Sequence, residues 1–258
     1  MKATILGCGP SGGVPLIGGV WGACDPNEPR NRRSRASIVV QHHDTSVLVD
    51  TSPDMRAQLL SADIRSIDAI VWTHAHADHI NGIDDVRALN RLAGCTIDGW
   101  GNAATLAHIQ RSFGYVFEPM VEGRGFYKPG LNPREINGPF TIGAIAITPF
   151  DQDHGFSHTL GFRFGPLAYS TDVMRLTDEA LDLLAGIDVW IVDCFQMSLH
   201  RTHAHLDQVL AWRDRVKPRL TVLTHMDSSL DYHSLAERLP EGVIPAYDGL
   251  IVEAESQI

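Results

Sequence analysis

The sequence predicts an α+β fold in which strands gather into sets instead of alternating regularly with helices. Short apolar runs rich in β-branched residues recur along the chain, with turn residues between them. Only four stretches show apolar residues at helical spacing or a helix-opening signal. Because a regular strand–helix alternation is absent, a layered sandwich is favoured over a parallel βαβ series.

The predicted strands are bounded by Gly, Pro, Asn, Asp or Ser. They are Ala3–Gly7, Ser37–Gln41, Ser46–Asp50, Ala69–Thr73, Ala144–Pro149, Leu160–Phe164, Leu167–Ser170, Asp188–Val192, Leu220–Leu223 and Leu250–Glu253. The predicted helices are Pro53–Ala62, Leu176–Leu184, Leu206–Val216 and Tyr232–Leu239. The stretch from Arg111 to Asn137 lacks periodicity and predicts a long surface excursion.

Composition and charge narrow the class of protein. The chain has 258 residues, of which 44% are hydrophobic and 20% charged, as in ordinary globular proteins. This length allows one large domain or two small ones. The net charge of −10 argues against an extended nucleic-acid-binding surface, although it leaves room for a local basic pocket.

Cysteine usage and hydropathy favour a cytoplasmic protein. The four cysteines are far apart and form no CxxC pair, which suits a reducing compartment. Glycine and proline interrupt the N-terminal region before a signal-peptide core can form. No apolar run approaches the ~20 residues that cross a bilayer, so we expect no membrane association.

The strongest motif is His74-Ala75-His76-Ala77-Asp78-His79, directly after the predicted strand Ala69–Thr73. Three imidazoles and a carboxylate within six residues converge on a metal ion with little loss of chain entropy. These ligand types suit zinc, manganese or iron. A polar loop with chance histidines is the alternative, and three histidines in six positions at a strand end disfavour it.

This His-x-His-x-Asp-His pattern after an apolar strand resembles the signature of the metallo-β-lactamase superfamily. The resemblance implies an αββα four-layer sandwich with a two-metal site at one edge. It also implies a single hydrolase domain over residues 1–258 and further metal ligands at the ends of later strands.

Three later residues suit those positions. His154 follows a predicted strand and precedes Gly155, which allows close backbone approach, and His158 is its competitor. Asp172 follows Leu167–Ser170 and would bridge the two ions, although Asp in such a position is also a common helix cap. His225 ends another strand. The resemblance assigns His74, His76 and His154 to one zinc or manganese ion, Asp78, His79 and His225 to the other, and Asp172 to both.

The N-terminal run from Gly7 to Pro15 resembles the glycine-rich opening of the phosphodiesterase branch of the superfamily. That branch includes the tRNA 3′-processing endonuclease and the phosphoribosyl 1,2-cyclic phosphate phosphodiesterase. The run also matches the dinucleotide-binding pattern GxGxxG. That pattern must open a helix, and Pro10 and Pro15 make a helix very unfavourable here.

Asp193-Cys194, followed by His205-Leu206-Asp207, resembles a further motif of the cyclic phosphodiesterase family. The resemblance implies that His205 is a catalytic histidine that binds no metal. His203 and His200 are the alternatives. All three histidines are also compatible with solvated positions that precede a helix.

The chain departs from that family in two ways. The phosphonate-pathway member carries a cysteine cluster that forms a structural zinc site, whereas only Cys24 is present here, so we expect no structural zinc. The tRNA-processing enzymes carry a long basic arm, whereas the run from Arg30 to Arg35 is short. This run is either a solvated loop or a phosphate contact.

The function expected from these features is hydrolysis of a phosphodiester in a small cyclic-phosphate or nucleotide-like substrate. The two ions would lower the pKa of a shared water to give a bound hydroxide. Asp78 would orient this nucleophile, and His205 would assist the leaving oxygen. A thioester or lactone hydrolase, and a non-catalytic protein similar to the pyrroloquinoline quinone biosynthesis relatives, are the alternatives. A homodimer is possible.

Overall fold

A computed structural model describes residues 1–121 and 123–255, which form two seven-stranded sheets and the helices around them. The strands are β1 Lys2–Gly7, β2 Ser37–His42, β3 Thr45–Val49, β4 Ala69–Val71, β5 Ile97–Gly101, β6 Leu131–Glu135, β7 Phe140–Ile142, β8 Ile145–Asp153, β9 His158–Phe164, β10 Leu167–Ser170, β11 Val189–Asp193, β12 Leu220–Thr224, β13 Val243–Pro245 and β14 Ile251–Glu253. The α-helices are α1 Met55–Ser61, α2 Ala77–Ile80, α3 Val86–Ala93, α4 Ala103–Phe113, α5 Asp178–Leu183, α6 Leu206–Val216 and α7 Tyr232–Ala236.

Both sheets are mixed. The first has the strand order β14-β1-β2-β3-β4-β5-β6, and its strands β3 to β6 run parallel. The second has the order β13-β12-β11-β10-β9-β8-β7, and its strands β10 to β13 run parallel. Carboxyl ends of parallel strands meet at one edge of a sheet, which is where open sheets collect functional residues.

The alternation of side chains along β2 separates two layers of the core. Ile38 and Val40 belong to the core cluster shared with the second sheet. Val39 lies on the opposite face, in a cluster with Met55 of α1 and Leu89 of α3. Helices therefore cover the outer face of the first sheet, and the inner face packs against the second sheet.

The second sheet is covered by helices in the same way. Helices α5, α6 and α7 contribute Leu181, Trp212 and Leu235 to its core cluster. The ring centroid of Trp212 lies 6.4 Å from that of Trp190 in β11. The order of layers is helix, sheet, sheet, helix, which confirms the predicted αββα sandwich.

Every predicted strand and helix is present, with ends shifted by a few residues. Several further strands and helices were not predicted from the sequence. The predicted surface excursion after Arg111 is partly wrong, because Leu131–Glu135 forms the edge strand β6. Pro133 hid this strand, since proline is tolerated only where a strand has a free edge. Strand β5 was hidden by its two glycines, and α2 is only one turn long.

The glycine-rich opening follows β1 as an irregular loop, and no helix begins between residues 8 and 15. The dinucleotide-binding pattern is therefore excluded, as expected. Within residues 1–121 and 123–255, every helix is too short or too polar to cross a membrane.

Candidate metal centre

The candidate metal ligands come together at the edge where the parallel strands of both sheets end. His74 lies three residues beyond β4, and His225 directly follows β12. Asp172 lies two residues beyond β10, and His154 occupies the turn between β8 and β9. The antiparallel β8–β9 hairpin brings its turn to the same edge, so four separate places in the chain contribute to the cluster.

The His74–His79 motif turns at once into the short helix α2. His76 is its exposed N-cap residue, whereas Asp78 and His79 are buried within the helix. The turn closes tightly at Gly82, whose N–H donates to the Thr51 carbonyl at 2.9 Å. A Cβ atom at this glycine would lie 1.9 Å from the Ser52 carbonyl oxygen, so only glycine allows this approach.

Asp172 lies between two groups of histidines. Its Oδ1 atom is 3.9 Å from Nε2 of His74 and 3.6 Å from Nε2 of His154. Its Oδ2 atom is 3.2 Å from Nε2 of His79 and 3.4 Å from Nε2 of His225. Each carboxylate oxygen thus faces a different pair of imidazoles, which is the geometry of a bridging ligand.

Asp78 completes the second group. Its Oδ2 atom is 3.3 Å from Nε2 of His79 and 3.9 Å from Nε2 of His225. Within each group, the potential ligand atoms all lie within 4.8 Å of one another. The first group contains His74, His76, His154 and Asp172, and the second contains Asp78, His79 and His225.

The donors in this cluster fit a divalent cation. Nε2 of His74, His79 and His225 is buried and has no hydrogen-bond partner among the described residues. Burial opposes the charged form of His225, yet Asp172 and Asp78 raise its pKa to about 9. Unpartnered buried nitrogens and closely spaced carboxylates are both costly, and bound metal ions satisfy both.

For two of these histidines, a neighbouring group contacts Nδ1 and leaves Nε2 facing the cluster. Nδ1 of His79 lies 2.7 Å from Oδ2 of Asp50, and Nδ1 of His154 donates to the Thr202 carbonyl at 2.7 Å. Asp50 is itself buried and accepts from the backbone N–H and the hydroxyl of Thr73 at 2.8 Å each. Such partners fix the orientation of imidazole ligands and leave Nε2 for the metal.

The backbone is left-handed at three residues of this region. Asp50, Asp172 and His225 have φ values of 64°, 53° and 57°. Only six non-glycine residues in the described part of the chain have positive φ, and these three lie at strand ends beside the cluster. Positive φ in non-glycine residues is uncommon and often marks functional sites.

The structure also separates the alternatives that the sequence left open. The helix-cap interpretation of Asp172 is wrong, because Thr177 caps α5 and accepts from the Ala180 N–H. His158 is exposed at the start of β9 and lies outside the clusters found among the described residues, whereas His154 is buried within one.

The catalytic role of His205 stays a prediction, and the structure places another histidine, His203, against the candidate metal ligands. His205 is the N-cap residue of α6 and belongs to none of the clusters found in the described residues. His203 lies there instead, in a group with Asp172 and His225. Its Nδ1 atom is 2.7 Å from Oδ2 of the buried Asp193, and its ring stacks on His225 at 4.8 Å.

The sequence contained a signal for His203. Thr73-His74, Thr202-His203 and Thr224-His225 share the same dipeptide. The histidines of the last two dipeptides, His203 and His225, are both buried and lie in one group with Asp172. Asp50 offered a weaker signal, as an acidic residue that ends a buried strand adjacent to the strand carrying the motif.

The short basic run is engaged within the protein. Arg30 pairs with Glu28 at 2.7 Å, and Arg35 pairs with Asp54 at 3.0 Å. Arg33 is buried and donates to the carbonyls of Asp227 at 2.9 Å and Leu230 at 2.5 Å. The guanidinium of Arg33 therefore ties the residues after His225 to the N-terminal part of the chain.

Cys24 lies near the same connection. Its Sγ atom is 3.5 Å from the Leu230 carbonyl oxygen. The metal-ligand clusters found among residues 1–121 and 123–255 do not include Cys24.

The chain belongs to the β-lactamase superfamily: the model of the "Beta-lactamase superfamily domain" matches residues 45–226, from β3 to the residue after His225. Within that superfamily it is similar to a solved diphosphatase of the PhnP family. The two chains are 33% identical with a TM-score of 0.88, and the match covers 99% of this chain and 98% of the diphosphatase.

Two curated relatives also match. An octanoyltransferase of Porphyromonas gingivalis is 28% identical over 254 residues, which is 97% of this chain and 51% of that protein. A ribonuclease Z of Bradyrhizobium is 27% identical over 140 residues, 53% of this chain and 46% of that protein. The matched regions therefore cover only about half the length of these two relatives.

Proposed function

We propose that this chain is a dinuclear metal-dependent hydrolase that cleaves a phosphodiester in a small cyclic-phosphate or nucleotide-like substrate. The division of the histidines between the two oxygens of Asp172 is the observation that carries the proposal. The first group of ligands would hold one zinc or manganese ion and the second would hold another, with Asp172 shared between the two groups.

Two such cations lower the pKa of a bound water toward neutrality and offset charge on phosphate oxygens in the transition state. Phosphate chemistry is supported by the glycine-rich opening and by the similarity to a diphosphatase and a ribonuclease Z. The net charge of −10 favours a small substrate over a long polyanion.

His203 takes the role that the sequence assigned to His205. Its Nδ1 is held by the Asp193 carboxylate, so Nε2 is the atom that carries a proton toward the substrate. The buried Asp193 fixes the orientation of the ring. As the phosphorus–oxygen bond to the leaving group breaks, the proton on Nε2 passes to the leaving oxygen. Asp78 orients the attacking water.

The test is a substrate panel on protein reloaded with zinc or manganese. The panel contains bis(p-nitrophenyl) phosphate, 2′,3′-cyclic AMP, ADP and an octanoyl thioester. The proposal predicts turnover of at least one phosphodiester and loss of that turnover in Asp172→Ala. Two bound ions without hydrolysis of any compound would mean a non-catalytic binding protein.

Thioester hydrolysis is the second candidate, and the match to an octanoyltransferase over 97% of the chain is the observation that favours it. The same metal ligands serve a carbonyl substrate, because two cations polarise a carbonyl as well as a phosphoryl oxygen. Rapid hydrolysis of the octanoyl thioester with no turnover of either phosphodiester would establish this candidate and overturn the first.

A further inference from the structure

Aromatic rings pack against one another from His225 in the candidate metal centre through His203 and Phe195 to His200. The ring of His203 lies 4.8 Å from His225 and 4.6 Å from Phe195, with interplanar angles of 19° and 14°. The His200 ring lies 4.5 Å from Phe195 and 5.2 Å from His203. His200 is only partly buried. Its ring is held in place by packing against Phe195 and His203.

The hydrogen bonds of His200 specify its tautomer. The backbone N–H of Thr202 lies 3.3 Å from Nδ1 of His200, and the Thr202 hydroxyl lies at the same distance. A backbone N–H can only donate, so Nδ1 accepts and carries no proton. The neutral ring must then carry its proton on Nε2. Burial and the neighbouring His203 lower the pKa of His200, which favours this neutral form.

Thr202 links His200 to the metal ligands. Its carbonyl accepts from Nδ1 of His154 at 2.7 Å. The preceding residue, Arg201, lies so close to Gly155 that a Cβ there would be 2.6 Å from the Arg201 carbonyl oxygen. The segment that carries His200 is thus clamped to the centre, while Nε2 of His200 has no hydrogen-bond partner among the described residues.

We propose that His200 is a substrate-binding residue whose Nε2–H donates to a second oxygen of the leaving group, beyond the scissile bond. This proposal rests on the proposed function, in which His203 protonates the leaving oxygen itself. His200 lies one ring further out, so it contacts an acceptor adjacent to that oxygen. The substrates favoured are those with a vicinal sugar oxygen or a second phosphate.

The test distinguishes the packing of the His200 ring from the hydrogen bond that its Nε2–H donates. His200→Phe keeps the ring between Phe195 and His203 but removes the donor, whereas His200→Gln keeps a donor. For 2′,3′-cyclic AMP, His200→Phe should lower kcat/KM about 5–100-fold, the range expected for one lost hydrogen bond. His200→Gln should recover most of this loss. The leaving group of bis(p-nitrophenyl) phosphate has no oxygen adjacent to the leaving oxygen, so its kcat/KM should change less than about twofold.

The control is His108→Phe on α4, which should match the wild-type protein on both substrates. Metal content, measured by elemental analysis, should be unchanged in all variants. Equal losses on both substrates, or no recovery in His200→Gln, would overturn the proposal.

Two measurements keep this inference distinct from the proposed function. Long-range ¹H–¹⁵N spectra of the metal-free protein should show His200 protonated at Nε2, and protonation at Nδ1 alone would overturn the inference. If the wild-type protein hydrolyses neither phosphodiester, the proposed function fails. Calorimetry with adenosine 3′-monophosphate then still compares wild type with His200→Phe, and equal dissociation constants would overturn the role of His200.

Discussion

Three histidines at the centre have their orientation fixed by the group that holds Nδ1. Asp50 holds His79, the Thr202 carbonyl holds His154, and Asp193 holds His203. The motif and the strand-end positions were enough to predict the candidate ligands from sequence. Their partners were harder to predict, because one is a backbone carbonyl and Asp50 lies 29 residues before His79, whereas Asp193 lies 10 residues before His203.

The assignment of His154 is tested against its neighbour. His154→Ala should lose metal, because the Nε2 atom of His154 lies 3.6 Å from the Asp172 carboxylate in the candidate cluster. His158→Ala is the matched control and should keep full metal content, since His158 is exposed at the start of β9. Elemental analysis of both purified variants gives the answer. Metal loss in His158→Ala alone would reverse the assignment.

The catalytic role of His203 is tested with leaving groups of different basicity. His203→Ala should lower kcat on a cyclic nucleotide by about 10²–10⁴-fold, the typical loss for general acid catalysis. The loss on bis(p-nitrophenyl) phosphate should be much smaller, because p-nitrophenolate leaves without a proton. His205→Ala is the control and should retain activity on both. If His205→Ala instead loses activity on the cyclic nucleotide and keeps it on bis(p-nitrophenyl) phosphate, His205 is the catalytic histidine, as the sequence predicted.

At the scale of elements, the site depends on loops being held in place at strand ends. The loop after β12 follows His225 and is fixed by the buried guanidinium of Arg33, which donates to two of its carbonyls. A buried arginine that spans several carbonyls is difficult to predict from sequence, because the run from Arg30 to Arg35 looks solvated. The long, periodic helix α6 was predicted to the residue, whereas the proline-containing edge strand β6 was missed.

Arg33→Met should therefore destabilise the protein. The carbonyl oxygens of Asp227 and Leu230 lose the guanidinium donor, and an unsatisfied buried group costs about 1–3 kcal/mol. Urea unfolding of the metal-free protein measures the change in the free energy of unfolding. Arg32→Met is the adjacent control: Arg32 is exposed and should change stability by less than about 0.5 kcal/mol. Equal stabilities of the two variants would show that Arg33 does not hold this loop.

At the scale of the whole molecule, the two sheets meet at one edge, and each supplies one half of the candidate metal-binding cluster. His74, His76, Asp78 and His79 follow a strand of the first sheet, whereas His154, Asp172 and His225 belong to the second. Metal binding should therefore hold the sheets together. Removing the metal with a chelator should lower Tm, because a ligand that binds only the folded state stabilises it. Differential scanning calorimetry checks this, and an unchanged Tm would contradict it.

The most direct test of this account is the metal content of the wild-type protein and of Asp172→Ala, each reloaded with zinc or manganese and freed of excess ion. Elemental analysis should give two ions per wild-type chain and far fewer in Asp172→Ala, since Asp172 serves both groups of ligands. Wild-type protein that takes up no metal, or an Asp172→Ala variant that keeps both ions, would contradict the central claim of a dinuclear centre bridged by Asp172.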